Sequence, residues 1–367
     1  MKIQEIVEIV RGELRSSPSI SSVSHFTHQA ARVQRGDLFI ALEPHHNPQS
    51  IAQAIEAGAY GIIFEGECEM TDSEIAWIRV ESLQECLIRL IRYKLLAQNI
   101  TTIALNPIQE AIAREIITDK RAIFASHTPR HTLETLHAIH DESHTYAQKC
   151  LDLAKALELL NSDEASLLLT HDESILGISF EMLEPCAPKE SPFLILSHTL
   201  FDSTIFYQSL HYRLNLPKMF LNDLAIVLSL CHSRELEHDL SHFKHIAHFK
   251  PNFLNAQGRV IEYGQASKVA IAEPDIECFK RYMAYIANNA AWGRFLFLVP
   301  QVYVELFSQI AQAFAYESEE ELCERIKGEN FNFALVLGID DETLVHALNS
   351  CQKQPIEPSL FADLWDS

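Results

Sequence analysis

No stretch of this 367-residue chain reaches the roughly 18 consecutive apolar residues that a membrane-spanning helix requires, although 47% of its residues are hydrophobic. The first segment, Met1-Lys2-Ile3-Gln4-Glu5-Ile6, sets charges among its apolar residues, so no secretory leader and no membrane span are expected. Cysteine pairing is missing too. The eight cysteines, Cys68, Cys150, Cys231 and Cys351 among them, stand singly, without the CxxC spacing of zinc or dithiol sites and without the framework of a small secreted domain. Reduced thiols in a cytoplasm are the expectation. Basic residues are scarce: 29 Lys and Arg face 50 Asp and Glu, for a formal charge of −21. Nucleic-acid affinity rests on neutralising phosphates with clustered cations, so no nucleic-acid partner is expected.

The length suggests two or three domains. Ile3, Ile6, Val7, Ile9 and Val10 mark an amphipathic helix within residues 2–14, stopped at Gly12. Leu38–Leu42 reads as a short strand after a turn, 51–57 as a helix ended by Gly58, and 62–64 as a buried strand, which together make a βαβ unit. A long helix over 82–98 leads to a strand at 100–105 and a helix over 109–118. Residues 132–160 are helical and histidine-rich. Core strands are expected at 167–170 and 193–197, on either side of Pro185, Pro188 and Pro192, with an apolar helix over 222–231. From 269 onward strands (269–272, 295–299, 333–337) alternate with helices (275–288, 302–316, 341–348), the rhythm of a small α/β domain.

Arg35-Gly36-Asp37-Leu38-Phe39-Ile40-Ala41-Leu42, followed by Ala54-Ile55-Glu56-Ala57-Gly58-Ala59-Tyr60-Gly61-Ile62-Ile63-Phe64, resembles the uridine-diphosphate-binding N-terminal domain of the Mur ligases, which build the peptidoglycan peptide. The resemblance covers almost the whole chain and weakens toward the C-terminus; within the family it is strongest to the branch that adds D-alanyl-D-alanine. It implies an α/β fold with three domains: a uridine-nucleotide-binding type of domain over 1–98, a shortened central ATPase-like domain over 99–274, and a Rossmann-like domain over 275–367. Where the family carries an Asp-Ser/Thr-Arg triplet this chain has Gln29, Ala30 and Ala31, followed by Arg32, and where it carries Asp-Gly-His this chain has His46-Asn47-Pro48. Gln29, Ala30, Arg32, His46 and Asn47 are thus the candidate uridine-nucleotide positions, with the polar contacts changed.

The family next places a loop of the GxxGK[ST] kind, whose backbone amides and Lys surround the ATP phosphates while a hydroxyl holds Mg²⁺. Here the segment reads Ile103-Ala104-Leu105-Asn106-Pro107-Ile108-Gln109-Glu110. Gln109 stands in place of the Lys, Glu110 in place of the hydroxyl, and Ile108 in place of a glycine, while Pro107 removes a donor amide. Asn106, Ile108, Gln109 and Glu110 therefore form a degenerate ATP loop. Leu153-Ala154-Lys155-Ala156-Leu157 resembles the family's Ala-Lys-x-Glu segment, whose lysine becomes carbamylated and bridges magnesium. Lys155 is the candidate remnant, with Leu157 where the acid belongs; a solvated helix lysine is the alternative.

Eighteen histidines invite a metal reading, since His238, His242, His245 and His248 would share one side of a helix. No HExxH-type pattern accompanies them, and composition bias is the competing explanation, so no metal site is assigned. Thr170-His171-Asp172-Glu173-Ser174 lacks a GxSxG elbow and reads as a strand end and turn. Phe201, Phe206, Tyr207, Tyr212, Tyr282, Tyr285, Trp292, Phe295 and Phe297 read as packing residues rather than a ligand surface.

The sequence thus points to a cytoplasmic bacterial protein of three-domain Mur ligase architecture, without a cofactor and without catalytic residues. The expected role is binding or scaffolding near peptidoglycan precursor synthesis, with an active Mur ligase, another cell-wall synthesis protein or a UDP-linked muramoyl peptide as partner. An active or atypical amino-acid or dipeptide ligase is the alternative, and a histidine-based metal-binding protein is a second one.

Overall fold

Ile3, Ile6 and Val10 wind onto one face of helix α1 (Ile3–Val10), and all three are buried. That spacing is why the segment is helical and why it docks rather than floats. The computed structural model describes residues 1–42, 48–125, 142–256, 258–262 and 266–350. Among these the chain divides into two compact units, 1–246 and 247–350.

The N-terminal sheet is built from β1 (Glu13–Leu14), β2 (Phe26–Thr27), β3 (Leu38–Ile40), β4 (Gly61–Glu65) and β5 (Ala76–Val80), in the order β1-β5-β4-β3-β2. Strands β2 to β5 are parallel, and β1 runs antiparallel to β5. Because successive strand side chains point to opposite faces, Leu38, Ile40, Ile63 and Ile78 join one core with α1 and α3 (Leu83–Ala97). Phe39, Ile62 and Trp77 join the other core with Ile51 and Ala54 of α2 (Pro48–Glu56). Gly36 and Gly58 adopt φ of +103° and +98°, and the Gly36 N–H donates to the Gly58 carbonyl, so these turns are set by backbone geometry that only glycine adopts freely.

The second sheet of this unit, all parallel, has the order β7-β8-β6-β9 and consists of β6 (Thr101–Ala104), β7 (Ala122–Phe124), β8 (Leu167–Thr170) and β9 (Met182–Leu183). Helix α4 (Pro107–Ile116) follows β6, α5 (Glu142–Leu159) precedes β8, and the single turn α6 (Glu173–Leu176) follows it. Leu153, Ala154 and Leu157 of α5 pack into the same core as Leu83, Leu87 and Leu90 of α3, which ties the two sheets together. An antiparallel sheet, β10 (Leu194–His198), β11 (Ser203–Tyr207) and β12 (Leu210–Leu214), precedes α7 (Leu221–Arg234). The expectation of a core strand at 193–197 is corrected here. Every residue of β10 is exposed, and only Phe193 before it is buried.

The C-terminal unit holds β13 (Asn252–Leu254), β14 (Lys268–Glu273), β15 (Phe295–Pro300), β16 (Ala313–Tyr316) and β17 (Phe333–Leu337) in the order β13-β14-β17-β15-β16. All pairings are parallel except that of the edge strand β13. Helices α8 (Ile276–Asn289), α9 (Val304–Ser308), α10 (Glu319–Gly328) and α11 (Asp341–Ser350) accompany it. One reading changes: the helix expected over 302–316 is a short helix followed by strand β16. The strand read at 269–272 is β14, paired with β13 and β17 inside this sheet.

Candidate functional site

The segment read from sequence as a degenerate ATP loop forms the turn between β6 and α4, where its side chains bond to one another. Asn106 is the N-cap: its Oδ1 accepts from the Gln109 N–H at 2.8 Å, while the Gln109 Oε1 accepts from the Asn106 N–H at 3.2 Å. This reciprocal capping box satisfies the Asn106 and Gln109 amides, and Pro107 at the first helical position removes another donor that a helix start otherwise offers to a ligand. Asn106 Nδ2 and Gln109 Nε2 both donate to Oδ1 of Asp223 on α7, at 3.1 and 3.3 Å, and Asp223 is buried. Ile108 points into the core.

Glu110, one residue further, is 2% exposed. It accepts from Arg114 at 2.7 and 2.9 Å, and from the His171 backbone N–H at 3.0 Å, with the His171 ring Nδ1 at 2.6 Å. Two buried carboxylates therefore flank the helix start. A further unit negative charge about 4 Å from either would be opposed by ~4 kcal/mol at an effective dielectric of ~20, before Arg114 offsets part of it. The attraction of a helix N-terminus for an anion is ~0.3–1 kcal/mol, rising to ~2 in partly buried settings, so repulsion wins.

A cleft of about 980 Å³ opens on the same unit, between the first sheet and the end of α5. Gln29 and Arg32, two of the candidate uridine-nucleotide positions, line it, and so does Lys155, which the sequence could not connect to them. Arg114 lines it as well and so joins the cleft to the closed loop through Glu110. Ala30, by contrast, packs with Phe39 and Ile51 rather than lining the cleft. His46 and Asn47 lie outside the described residues. Lys155 is partly exposed, with its Nζ 3.5 Å from Asp152.

The cleft floor is held by α5 grasping the edge strand β2. Asn161 accepts from the Phe26 N–H at 3.1 Å and donates to the Phe26 carbonyl at 2.8 Å, standing in for a neighbouring strand. Glu158 accepts from Thr27 Oγ1 at 2.8 Å and from the His28 N–H at 2.7 Å, with the His28 ring Nδ1 also at 2.7 Å. Burial acts to raise the Glu158 carboxyl, but these hydrogen bonds outweigh it and hold the group below the ordinary carboxylate value. On the opposite wall, Asp37 accepts from the Gln34 N–H and has its other oxygen 3.4 Å from the His25 ring. Glu158 and Asp37 are thus each hydrogen-bonded through one oxygen, while Arg32, Arg114 and Lys155 supply three cations in a chain of charge −21. Asp223, His171, Arg114, Glu158 and Asn161 were not anticipated. Arg114 sits four residues after Glu110, and Lys155, Glu158 and Asn161 recur every three residues toward the end of α5, so both spacings carried a signal.

The histidine stripe is corrected. The residues from Glu235, which turns left-handed at the end of α7, to Lys250 are not helical. His238 meets the Tyr207 hydroxyl at 2.7 Å, His242 pairs with Asp239, and His248 lies against Glu273.

No protein-family model matches this sequence, and no curated protein sequence matches it. Solved structures do. A MurF ligase of Acinetobacter baumannii aligns over 95% of this chain and 98% of its own, with a TM-score of 0.54 at 9% identity. A MurF ligase of Thermotoga maritima, crystallised in complex with ADP, aligns over 89% and 96%, with a TM-score of 0.50 at 11% identity. At such identities only the fold is carried across, and this chain has the fold of the Mur ligases.

Proposed function

We propose that this chain is a non-ligating protein of the Mur ligase fold that holds a small anionic ligand in the cleft lined by Gln29, Arg32, Arg114 and Lys155, and acts as a binding or scaffold component of peptidoglycan precursor synthesis in the cytoplasm. The observation that carries the first half is the strand-to-helix turn. Its Asn106 and Gln109 amides are spent on the capping box, Pro107 has none, and buried Glu110 and Asp223 stand beside it. Phosphoryl transfer depends on positioned cations and amide donors around the transferring group, and this turn offers carboxylates instead. Supporting the second half is a polar cleft lined by three cationic side chains, Arg32, Arg114 paired with Glu110, and Lys155 near Asp152. UDP-linked muramoyl peptides, negatively charged at the diphosphate, fit that charge.

Isothermal titration with Mg-ATP and with UDP-linked muramoyl peptide tests the reading. Heat is expected with the muramoyl nucleotide, at least tenfold weaker in Arg32→Glu, and none with Mg-ATP. Micromolar Mg-ATP binding together with release of ADP in the presence of an amino acid or dipeptide would instead establish an atypical ligase.

A further inference from the structure

We propose that His248, Glu273 and Cys278 bind a single divalent transition-metal ion of the zinc type in the C-terminal unit. One ligand atom from each, an imidazole nitrogen, a carboxylate oxygen and the thiol sulfur, lie within 4.8 Å of one another. They come from three places in the fold. Glu273 is the last residue of β14 and 1% exposed, Cys278 is the third residue of α8 and 7% exposed, and His248 lies on the chain approaching β13. Glu273 stands at the carboxyl end of a parallel strand, the part of an α/β sheet where ligands are ordinarily received.

The donor set selects the ion. Magnesium and calcium take oxygen ligands, whereas a mixed nitrogen, oxygen and sulfur set suits zinc and its cobalt surrogate. Three protein ligands leave one position of a tetrahedron for water or an exogenous group.

The ligands are also held by their surroundings, as metal ligands require. Asp275 does this for two of them: its backbone N–H donates to Glu273 Oε1 at 3.0 Å, and its carboxylate caps α8 by accepting from the Cys278 N–H at 2.7 Å. His248 approaches from the other side, with its Nδ1 3.0 Å from Glu273 Oε2 and its ring nitrogen, that carboxylate and the Cys278 sulfur all within 4.8 Å of one another. On binding, the thiol proton leaves to solvent, His248 coordinates as the neutral imidazole, and its contact with Glu273 Oε2 is exchanged for a shared ion.

The test uses the full chain, stripped with chelator and titrated with Co²⁺. One equivalent is expected to bind, with a thiolate-to-cobalt charge-transfer absorption in the near ultraviolet that one equivalent of Zn²⁺ removes. Cys278→Ser leaves the other seven cysteines in place and should abolish that absorption, and His248→Ala should weaken Co²⁺ binding at least ~10-fold. Should the serine variant fail to fold, the His248→Ala result decides alone: retention of wild-type affinity overturns the proposal. Absence of the absorption in the wild type, or its persistence in Cys278→Ser, overturns it equally.

Discussion

Replacing Glu110 with alanine should destabilise the N-terminal unit out of proportion to an ordinary helix substitution. Glu110 is 2% exposed and receives Arg114 and His171 through four contacts of 2.6–3.0 Å. Removing one partner of a fully buried ion pair costs ~3–5 kcal/mol, because the charge left behind loses both its partner and water. Here the side chains left behind are 41% exposed for Arg114 and 26% for His171, so both recover hydration and the lower part of the scale applies, ~2–3 kcal/mol. For a unit of this size each kcal/mol lowers the melting midpoint by ~2–4 °C, giving ~4–12 °C in total. Of the three tryptophans, Trp77 is fully buried in the same unit, so its emission in a background with Trp292 and Trp365 replaced by phenylalanine reports the right transition during thermal or denaturant unfolding. Glu110→Gln, which keeps the shape and one acceptor, should lose less. A change in Glu110→Ala within the ~0.5 kcal/mol typical of surface positions would show that the carboxylate is idle and that the cluster does not stabilise the turn.

Asn106→Ala removes the helix cap and one of the two amides that engage Asp223, and should cost ~1–2 kcal/mol in denaturant unfolding. The Glu158 carboxyl is lowered in the fold, so its contribution is fully present above the unfolded value of ~4.3 and lost as pH falls through the folded one. Stability measured from pH 6 down to 3 should therefore fall more steeply in the wild type than in Glu158→Gln, and parallel curves would refute the assignment. Burial, with Cys231 and Tyr212 nearby, pushes the Tyr207 phenol up to about 12, so the stability it supplies is complete below the ordinary tyrosine range near ~10 and lost as pH climbs from there through about 12. The difference between alkaline absorbance titrations of the wild type and Tyr207→Phe should show one late tyrosinate.

Strands were legible where burial alone decides. Leu167–Thr170 and Phe333–Leu337 are unbroken apolar runs ending in polar or glycine residues, and both ran as read. The hairpin of β11 and β12 left no such mark. Its turn is Gln208-Ser209 with φ of +47° and +66°, geometry that glycine or asparagine usually announces. Apolar residues over 302–316 fit a helical period, yet the chain stops at Ser308 and re-enters the sheet as β16, a choice made by pairing with β15 that no local spacing encodes. The histidine stripe failed for a related reason: spacing places side chains on one face only while the backbone stays helical, and Glu235 ends α7 three residues before His238. In the cleft, the helical spacing of Lys155, Glu158 and Asn161 was visible in principle, but Gln29 and Arg32 reach them only because Asn161 and Glu158 grasp β2, a contact spanning some 130 residues of chain.

A phosphate-binding turn and a self-capped turn answer the same need in different ways. A helix start presents backbone donors without intrahelical partners, and something must accept from them. In a nucleotide loop the phosphates do so, which couples the order of the turn to the presence of ligand. In this chain Asn106 and Gln109 accept from each other's amides and Asp223 gathers their side-chain donors, so two amides of the helix start are satisfied without a ligand. On the proposed non-ligating reading, the turn keeps its order without a phosphate because these side chains take over part of what a phosphate would contribute. Saturating Mg-ATP should accordingly leave the melting midpoint of the N-terminal unit unmoved. A ligand at about 100 times its dissociation constant stabilises by ~2.7 kcal/mol, an upward shift of several degrees that Trp77 emission would register.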